Sequence, residues 1–97
     1  MLHILQLYEL LYVQKIKGGD MMTEFELMRD IGGNIESVLE ENNMSQQDLA
    51  RETGISKSTI SRYINGNAMP TLKNLVNIAY VLACDISEFV FSDEFVE

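Results

Sequence analysis

The chain has 97 residues, an apolar fraction of 46% and a formal net charge of −8. This length allows one domain, and the apolar fraction is too high for a disordered chain. The single cysteine excludes an internal disulfide framework, and together with the lone His3 it offers no metal cluster. We expect Cys84 to be a small, buried apolar residue. No stretch approaches the ~20 apolar residues that a transmembrane helix needs, so we expect a cytoplasmic protein without a membrane partner.

The acidic residues are unevenly distributed along the chain. Residues 1–43 hold eight acids and three bases (net −5), and residues 71–97 hold five acids and one base (net −4). Residues 44–70 hold two acids and three bases (net +1) and form the one segment that is not acidic. Nucleic-acid binding requires a local cationic patch, which only this segment can supply. The field of the whole chain nevertheless repels DNA and should slow and weaken its binding.

The N-terminal extension, residues 1–22, has two open interpretations. Residues 2–16 are apolar on nearly every helical turn, yet they are too short to span a membrane and lack a signal-peptide cleavage pattern. The following Lys17-Gly18-Gly19-Asp20 can be encoded by a purine-rich bacterial ribosome-binding sequence just before Met21 and Met22. The extension is therefore either a translated leader ahead of a start at one of these methionines, or an extra helix or dimerisation arm.

From Thr23 onward the sequence predicts an all-α domain of five helices over residues 23–91, followed by an acidic tail at 92–97. Helix one is predicted over about 30–42, because its apolar residues recur at helical spacing. Gly32 and Gly33 should weaken its first turn. The residues on its inward face are Ile31, Ile35, Val38 and Leu39.

Helices two and three are marked by capping residues at both ends. Ser45 and Asp48 form a capping box that opens helix two, which runs to about Thr53. Gly54 permits the left-handed backbone of a tight turn. Ser56 caps helix three, which ends at Asn65-Gly66.

Two further helices complete the predicted domain. Pro70-Thr71 opens helix four, and Asp85 to Glu88 forms a second capping box before a short helix with Phe89 and Val90. Helix four should place one apolar stripe against the core. Its members are Leu72, Leu75, Val76, Ala79 and Leu82.

Helix, glycine turn and helix between Gln46 and Gly66 form a unit that can present its second helix to the DNA major groove. At about 100° per residue, Ile60, Tyr63 and Ile64 fall on one side of helix three. The opposite arc carries two cations, no acid and several hydrogen-bonding groups. Its members are Lys57, Ser58, Ser61, Arg62 and Asn65.

Each outward residue has a chemically suitable role on DNA. Arg62 can bind guanine through two donors, and Lys57 can donate to guanine or phosphate. Ser58 and Ser61 can donate or accept at a base edge, and the Thr59 methyl could touch thymine. The two side-chain amides that flank the helix-turn-helix unit can donate hydrogen bonds to phosphate oxygens. These are Gln46, near the start of helix two, and Asn65, at the end of helix three.

The segment from Ser45 to Val90 closely resembles the phage-repressor helix-turn-helix family of transcriptional regulators (lambda repressor and Cro-like, or XRE). The similarity covers about residues 31–90 and keeps a fixed spacing throughout. The features that carry it are Ser45-Gln46, Leu49-Ala50, Gly54-Ile55-Ser56, Ile60-Ser61, Asn65-Gly66 and Pro70-Thr71, followed by the closing helix.

This resemblance implies a five-helix lambda-repressor-like domain whose helix three recognises double-stranded DNA. It implies base contacts from Lys57, Ser58, Ser61 and Arg62, and phosphate contacts from Gln46, Ser56 and Asn65. It also implies a homodimer on a palindromic site, joined through helix five or added segments. Family members commonly carry basic residues on helix one, whereas this chain has Glu36, Glu40 and Glu41 there.

A transcriptional regulator, with repression favoured over activation, is thus the function that the sequence predicts. The alternative is a protein-interaction module, such as an antitoxin or anti-repressor, that keeps the fold and holds a partner with its acidic faces. An enzyme is not expected, because the sequence has no catalytic constellation and no glycine-rich phosphate loop. Neither a cofactor nor a small-molecule ligand is expected.

Overall fold

A computed structural model describes residues 22–90, and this part of the chain is all-α, as predicted. The predictions for residues 1–21 and for the acidic tail at 92–97 lie outside the described residues. No helix within the described range is long and apolar enough to cross a membrane. The helices are α1 (Glu24–Glu41), α2 (Gln46–Thr53), α3 (Lys57–Ile64), α4 (Leu72–Val81) and α5 (Ser87–Val90).

Helix α1 begins about two turns earlier than the sequence analysis predicts. Thr23 is its N-cap: the Glu26 backbone N–H donates to Thr23 Oγ1 at 3.0 Å, and the Thr23 backbone N–H donates to Glu26 Oε1 at 3.1 Å. This reciprocal pair is a capping box, visible in the sequence as Thr-Glu-Phe-Glu. The predicted start near residue 30 was therefore wrong, because the regular apolar spacing begins only at Ile31, after the first two turns of the helix.

Because α1 starts early, Gly32 lies in the middle of the helix and not in its first turn. It is buried where α1 crosses the end of α3. A Cβ at this position would lie 2.6 Å from the Ile64 carbonyl oxygen and closer still to that of Tyr63. Both of these atoms are backbone and cannot move aside as a flexible side chain would. Gly32 thus permits a close approach of the two helices that another residue would prevent.

The core is built from all five helices. Helix α1 packs against α3 and α5, while α2 packs against α3 and α4. The short α5 is held by its fully buried Phe89 and by Asn34 of α1, whose Nδ2 donates to the Phe89 carbonyl oxygen at 2.8 Å. The fully buried large side chains are Phe89, Ile35, Leu49, Ile60 and Ile78.

Helix α4 buries only part of its apolar surface, which corrects the predicted stripe. Leu75, Ala79 and Leu82 are buried as expected, and Ile78 joins them. Leu72 and Val76, predicted to face inward, are 71% and 50% exposed, and Tyr80 is 84% exposed. These three residues follow one another at four-residue steps, so they share one line along the helix. The apolar arc of α4 is wider than the face that α2 covers.

Three helices end in the same hydrogen-bonded turn, in which the residue after the C-cap takes a positive φ. These residues are Asn43 after α1 (53°), Gly66 after α3 (72°) and Ala83 after α4 (53°). Each turn is closed by two backbone bonds of the Schellman type. After α3, for example, Gly66 N donates to Tyr63 O at 3.1 Å and Asn67 N donates to Arg62 O at 2.8 Å. The chain therefore leaves the C-terminal end of α3 in a fixed direction.

The start of α5 differs in detail from the predicted capping box. The Asp85 backbone N–H donates to Glu88 Oε2 at 3.3 Å, but the Asp85 carboxylate accepts from Ser87 N, at 2.9 Å, in place of Glu88 N. The neighbouring Cys84 is half-buried and packs against the core. Burial raises the pKa of its thiol to about 11, with a further contribution from the carboxylates of Glu88 and Asp85. The thiol is therefore protonated, and a poor nucleophile, at neutral pH.

Alanine substitutions at the two neighbouring glycines of α1, Gly32 and Gly33, test the close approach of α1 to α3. Gly33 is exposed, and a Cβ there would meet nothing within 4 Å. Gly33→Ala should stabilise the fold by up to about 1 kcal/mol, because glycine is a poor residue in a helix interior. Gly32→Ala should destabilise it, because the new methyl overlaps the carbonyls of α3. Urea unfolding followed by circular dichroism measures both changes, and equal effects of the two variants would contradict the close approach.

Candidate nucleic-acid interface

The connection between α2 and α3 is a turn of three residues, 54–56, and hydrogen bonds or a cap fix the backbone along it. Gly54 adopts φ +78°, and its N–H donates to Ala50 O at 2.9 Å, which closes α2. Thr53 Oγ1 donates to Leu49 O at 2.7 Å and accepts from Ile55 N at 3.2 Å, so it bridges the last turn of α2 and the loop. Ser56 then caps α3. This connection holds α3 at a fixed angle to α2.

Ser56 performs its capping role with the same hydroxyl that the sequence analysis assigned to phosphate. Its Oγ accepts from Thr59 N at 3.2 Å and donates to Thr59 Oγ1 at 2.9 Å. A phosphate oxygen can only accept a hydrogen bond, so this hydroxyl proton is already in use. The free backbone N–H groups at the start of α3 can still bind a phosphate at this position. The Thr59 hydroxyl oxygen accepts the bond from Ser56 Oγ, so its own proton and its methyl group are the groups left for base contact.

Helix α3 separates its residues into a buried and an exposed side, as predicted. Ile60, Tyr63 and Ile64 are between 0 and 8% exposed and pack in the core. Lys57, Ser58, Arg62 and Asn65 are exposed, whereas Ser61 and Thr59 are intermediate. The donors and acceptors that the sequence analysis assigned to bases therefore lie along one accessible edge.

The cations on this edge are not neutralised by neighbouring carboxylates. Lys57 and Arg62 have no ion pair in the described part of the chain, where the pair recorded is Arg51 with Asp48 at 2.9 Å on α2. Residues 53–84 contain three bases and no acid. This acid-free segment runs from the turn before α3 to the end of α4. The α3 edge is thus a local positive surface on an acidic chain.

At the start of α2, Gln46 occupies the first helical position after the N-cap Ser45. The Asp48 carboxylate accepts from Ser45 N at 3.2 Å and from Arg51 Nη2 at 2.9 Å. Hydrogen bonds from Ser45 and Arg51 lower the pKa of Asp48, so it stays ionised. Its negative charge opposes an anion at this helix end, and Arg51 partly offsets that charge. The Gln46 amide and the free N–H groups of this turn remain available to a phosphate.

The far end of α3 is anchored to α4. Asn74 Nδ2 donates to the Tyr63 hydroxyl at 2.8 Å, and this contact is partly buried. Asn65 is exposed beside it, and its side-chain amide lies 3.4 Å from Ser61 Oγ. The predicted phosphate ligand Asn65 therefore sits at an end of the helix that is held in place.

One residue near the end of the α3 edge, Arg29, was not predicted from the sequence. Arg29 lies on α1, and a Cβ built on Gly66 would lie 2.9 Å from its Cγ and 3.2 Å from its Cα. The Arg29 side chain therefore leaves α1 beside the loop that follows α3. The capping box at Thr23 and Glu26 would have placed Arg29 on the helix, since it fixes where α1 begins.

Comparisons with known proteins agree with this geometry. The sequence matches the HTH_3 helix-turn-helix family over residues 35–89. It is 41% identical over 46 residues to the cryptic phage CTXphi transcriptional repressor RstR of Vibrio cholerae, which covers 47% of this chain and 41% of the repressor. The fold is similar to the crystal structure of an HTH_3 family transcriptional regulator from Vibrio cholerae, with a TM-score of 0.66 and 25% identity. That similarity covers 69% of this chain and 38% of the regulator.

The chain thus spans less than half the length of both relatives. The family match extends over more than half of this chain and includes α2, the turn and α3 in full. It also agrees with the resemblance to the phage repressors noted from the sequence. The protein belongs to the HTH_3 helix-turn-helix family.

Proposed function

We propose that this protein is a sequence-specific transcriptional repressor that binds a palindromic operator as a homodimer in the cytoplasm. One observation carries the proposal: α3 exposes an acid-free edge with two cations that pair with no carboxylate of residues 22–90, while its isoleucines and Tyr63 hold it in the core. This arrangement suits the major groove of B-DNA, which admits an α-helix and presents donors and acceptors along base edges. The repressor title of the Vibrio cholerae relative supports repression over activation.

The proposed contacts divide into those that read bases and those that position the domain. Lys57, Ser58, Thr59, Ser61 and Arg62 face the bases, with Arg62 suited to a guanine and the Thr59 methyl to a thymine. Gln46, Ser56 and Asn65 bind phosphates on either side of the groove. Ser56 does so through the backbone N–H groups of the α3 N-terminus, because its hydroxyl caps the helix.

A second copy of the chain is proposed to dock on the exposed line of Leu72, Val76 and Tyr80 on α4. Exposed apolar residues on one face of a helix favour association. This line lies within the acid-free segment, so α4 itself brings no carboxylate to a contact between two copies. By contrast, α5 has four residues and turns its Phe89 fully into the core.

Selection of bound sequences from a random DNA pool, followed by a salt titration, tests the function directly. A repressor should enrich a palindrome and lose affinity as salt rises, because binding releases counterions from DNA. Failure to retain any DNA at low salt would reject the proposal. In that case a protein-interaction module, such as an antitoxin or anti-repressor, would become the better explanation of the fold.

Arg62→Ala should weaken binding to the selected operator by about 1–3 kcal/mol and should relax the preference at one base pair. Folding should change little, because Arg62 is exposed and has no ion pair with a described residue. Lys73→Ala is the matched control, since it removes the same charge from an exposed position of α4 that has no proposed contact with DNA. Fluorescence anisotropy with labelled operator measures both. Equal losses for the two variants would remove Arg62 from the base contacts.

Val76→Glu should dissociate the dimer, because two copies would bring buried glutamates together in an apolar contact. We expect the dimer dissociation constant to rise at least tenfold, which is about 1.4 kcal/mol. Phe25→Glu is the control: Phe25 is 62% exposed on α1, so the same charge is added away from the line. Sedimentation equilibrium gives the mass of each variant. A wild-type mass for Val76→Glu would show that the dimer forms through another surface.

A further inference from the structure

The loop that follows α3 is deficient in positive charge. Residues 65–71 contain no lysine or arginine, although Asn65 is the proposed phosphate ligand at this end of the helix. The C-terminal end of a helix also carries a partial negative charge from its free carbonyl groups. A DNA phosphate that approaches Asn65 would therefore need a cation from another part of the chain.

Arg29 of α1 is placed to supply that cation. A Cβ built on Gly66 would lie 2.9 Å from its Cγ and 3.2 Å from its Cα, so the base of its side chain lies beside the residue that follows Asn65. Gly66 is buried and has φ +72°, a conformation that favours glycine. Because glycine has no side chain, α1 can pack directly against the backbone of this residue. The Arg29 side chain is exposed even though its base packs on this glycine. Long arginine side chains commonly pack their stems in this way and keep the charged group in water.

The carboxylates nearest to Arg29 along α1, those of Glu26 and Asp30, form no ion pair with it. Glu26, one turn earlier, receives hydrogen bonds from Thr23 N and Thr23 Oγ1, both at 3.1 Å, in the capping box. Asp30 follows Arg29 directly and therefore points about 100° around the helix. Arg29 forms no ion pair with a described residue. Its charge is thus available at the far end of α3.

We propose that Arg29 binds a DNA phosphate beside Asn65 and supplies from α1 the charge that the loop after α3 lacks. This inference rests on the proposed DNA-binding function. The contact is to the backbone of DNA, so it adds affinity without sequence preference. It also gives α1 a role in binding although most of its exposed charges are acidic.

The salt dependence of binding tests this contact in the full chain. Loss of one phosphate contact should reduce the slope of log K against log salt by about 0.9. The salt concentration rises fourfold between 50 and 200 mM NaCl, and four to the power 0.9 is about 3.5. The ratio of wild-type affinity to Arg29→Gln affinity should therefore fall about 3.5-fold over this range. The loss should be equal on operator and random DNA. Arg29→Lys should restore the wild-type slope, because it keeps the charge.

Lys73→Gln is the control, since it removes an equal charge at an exposed position of α4 that has no proposed contact with DNA, so the slope should stay unchanged. Thermal unfolding of each variant shows whether the packing on Gly66 is kept. An unchanged slope for Arg29→Gln, or a loss confined to the operator, would overturn the Arg29 assignment while the repressor function stands. Absence of DNA binding by the wild type would overturn both.

Discussion

The arrangement of this domain depends on a close backbone approach between α1 and the C-terminal end of α3. A glycine on each side of the contact makes it possible: Gly32 faces the carbonyls of Tyr63 and Ile64, and Gly66 faces Arg29. Each glycine removes the Cβ that would separate the two elements. The recognition helix is thereby fixed at its far end by α1 and, through Asn74 and Tyr63, by α4. The turn at Gly54 fixes its near end.

Acidic and basic residues are separated along this chain, which the net charge of −8 does not show. The acids of the described range lie before residue 53 or after residue 84, and α3 and α4 lie between these limits. The positive groups in that interval can approach a polyanion without a carboxylate on the same helix. The apolar line on α4 falls in the same interval. Both of the proposed contacts, with DNA and with a second copy, thus fall in the one part of the described chain that contains no acid.

Much of the fold could be predicted from the sequence because its signals are local. The capping box at Ser45 and Asp48, the turn at Gly54, the cap at Ser56 and the stop at Asn65-Gly66 each involve residues within five positions of one another. The inward face of α3 followed from helical periodicity alone. These features placed α2, α3 and the exposed edge of the candidate site correctly.

The predictions that failed depended on contacts between distant residues or on an overlooked local signal. The exposure of Leu72 and Val76 reflects how much of α4 its neighbour covers, which periodicity within α4 cannot reveal. The role of Gly32 depends on carbonyls some thirty positions away in the sequence, and the position of Arg29 depends on Gly66. The early start of α1 is marked by a local signal, the capping box at Thr23, whereas the regular isoleucine spacing begins later, at Ile31. The roles of individual residues on DNA remain predictions.

The segregated charge has a consequence for a regulator at work inside a cell. A genome offers a very large excess of competing sites, and a uniformly basic protein spends much of its time bound to them. In the proposed repressor, the net negative charge outside residues 53–84 lowers the affinity for arbitrary DNA sequences, because that affinity comes mainly from charge. Hydrogen bonds to the correct bases are not weakened in the same proportion. Fewer copies are then held on irrelevant chromosomal DNA, and a small pool of protein can occupy its target.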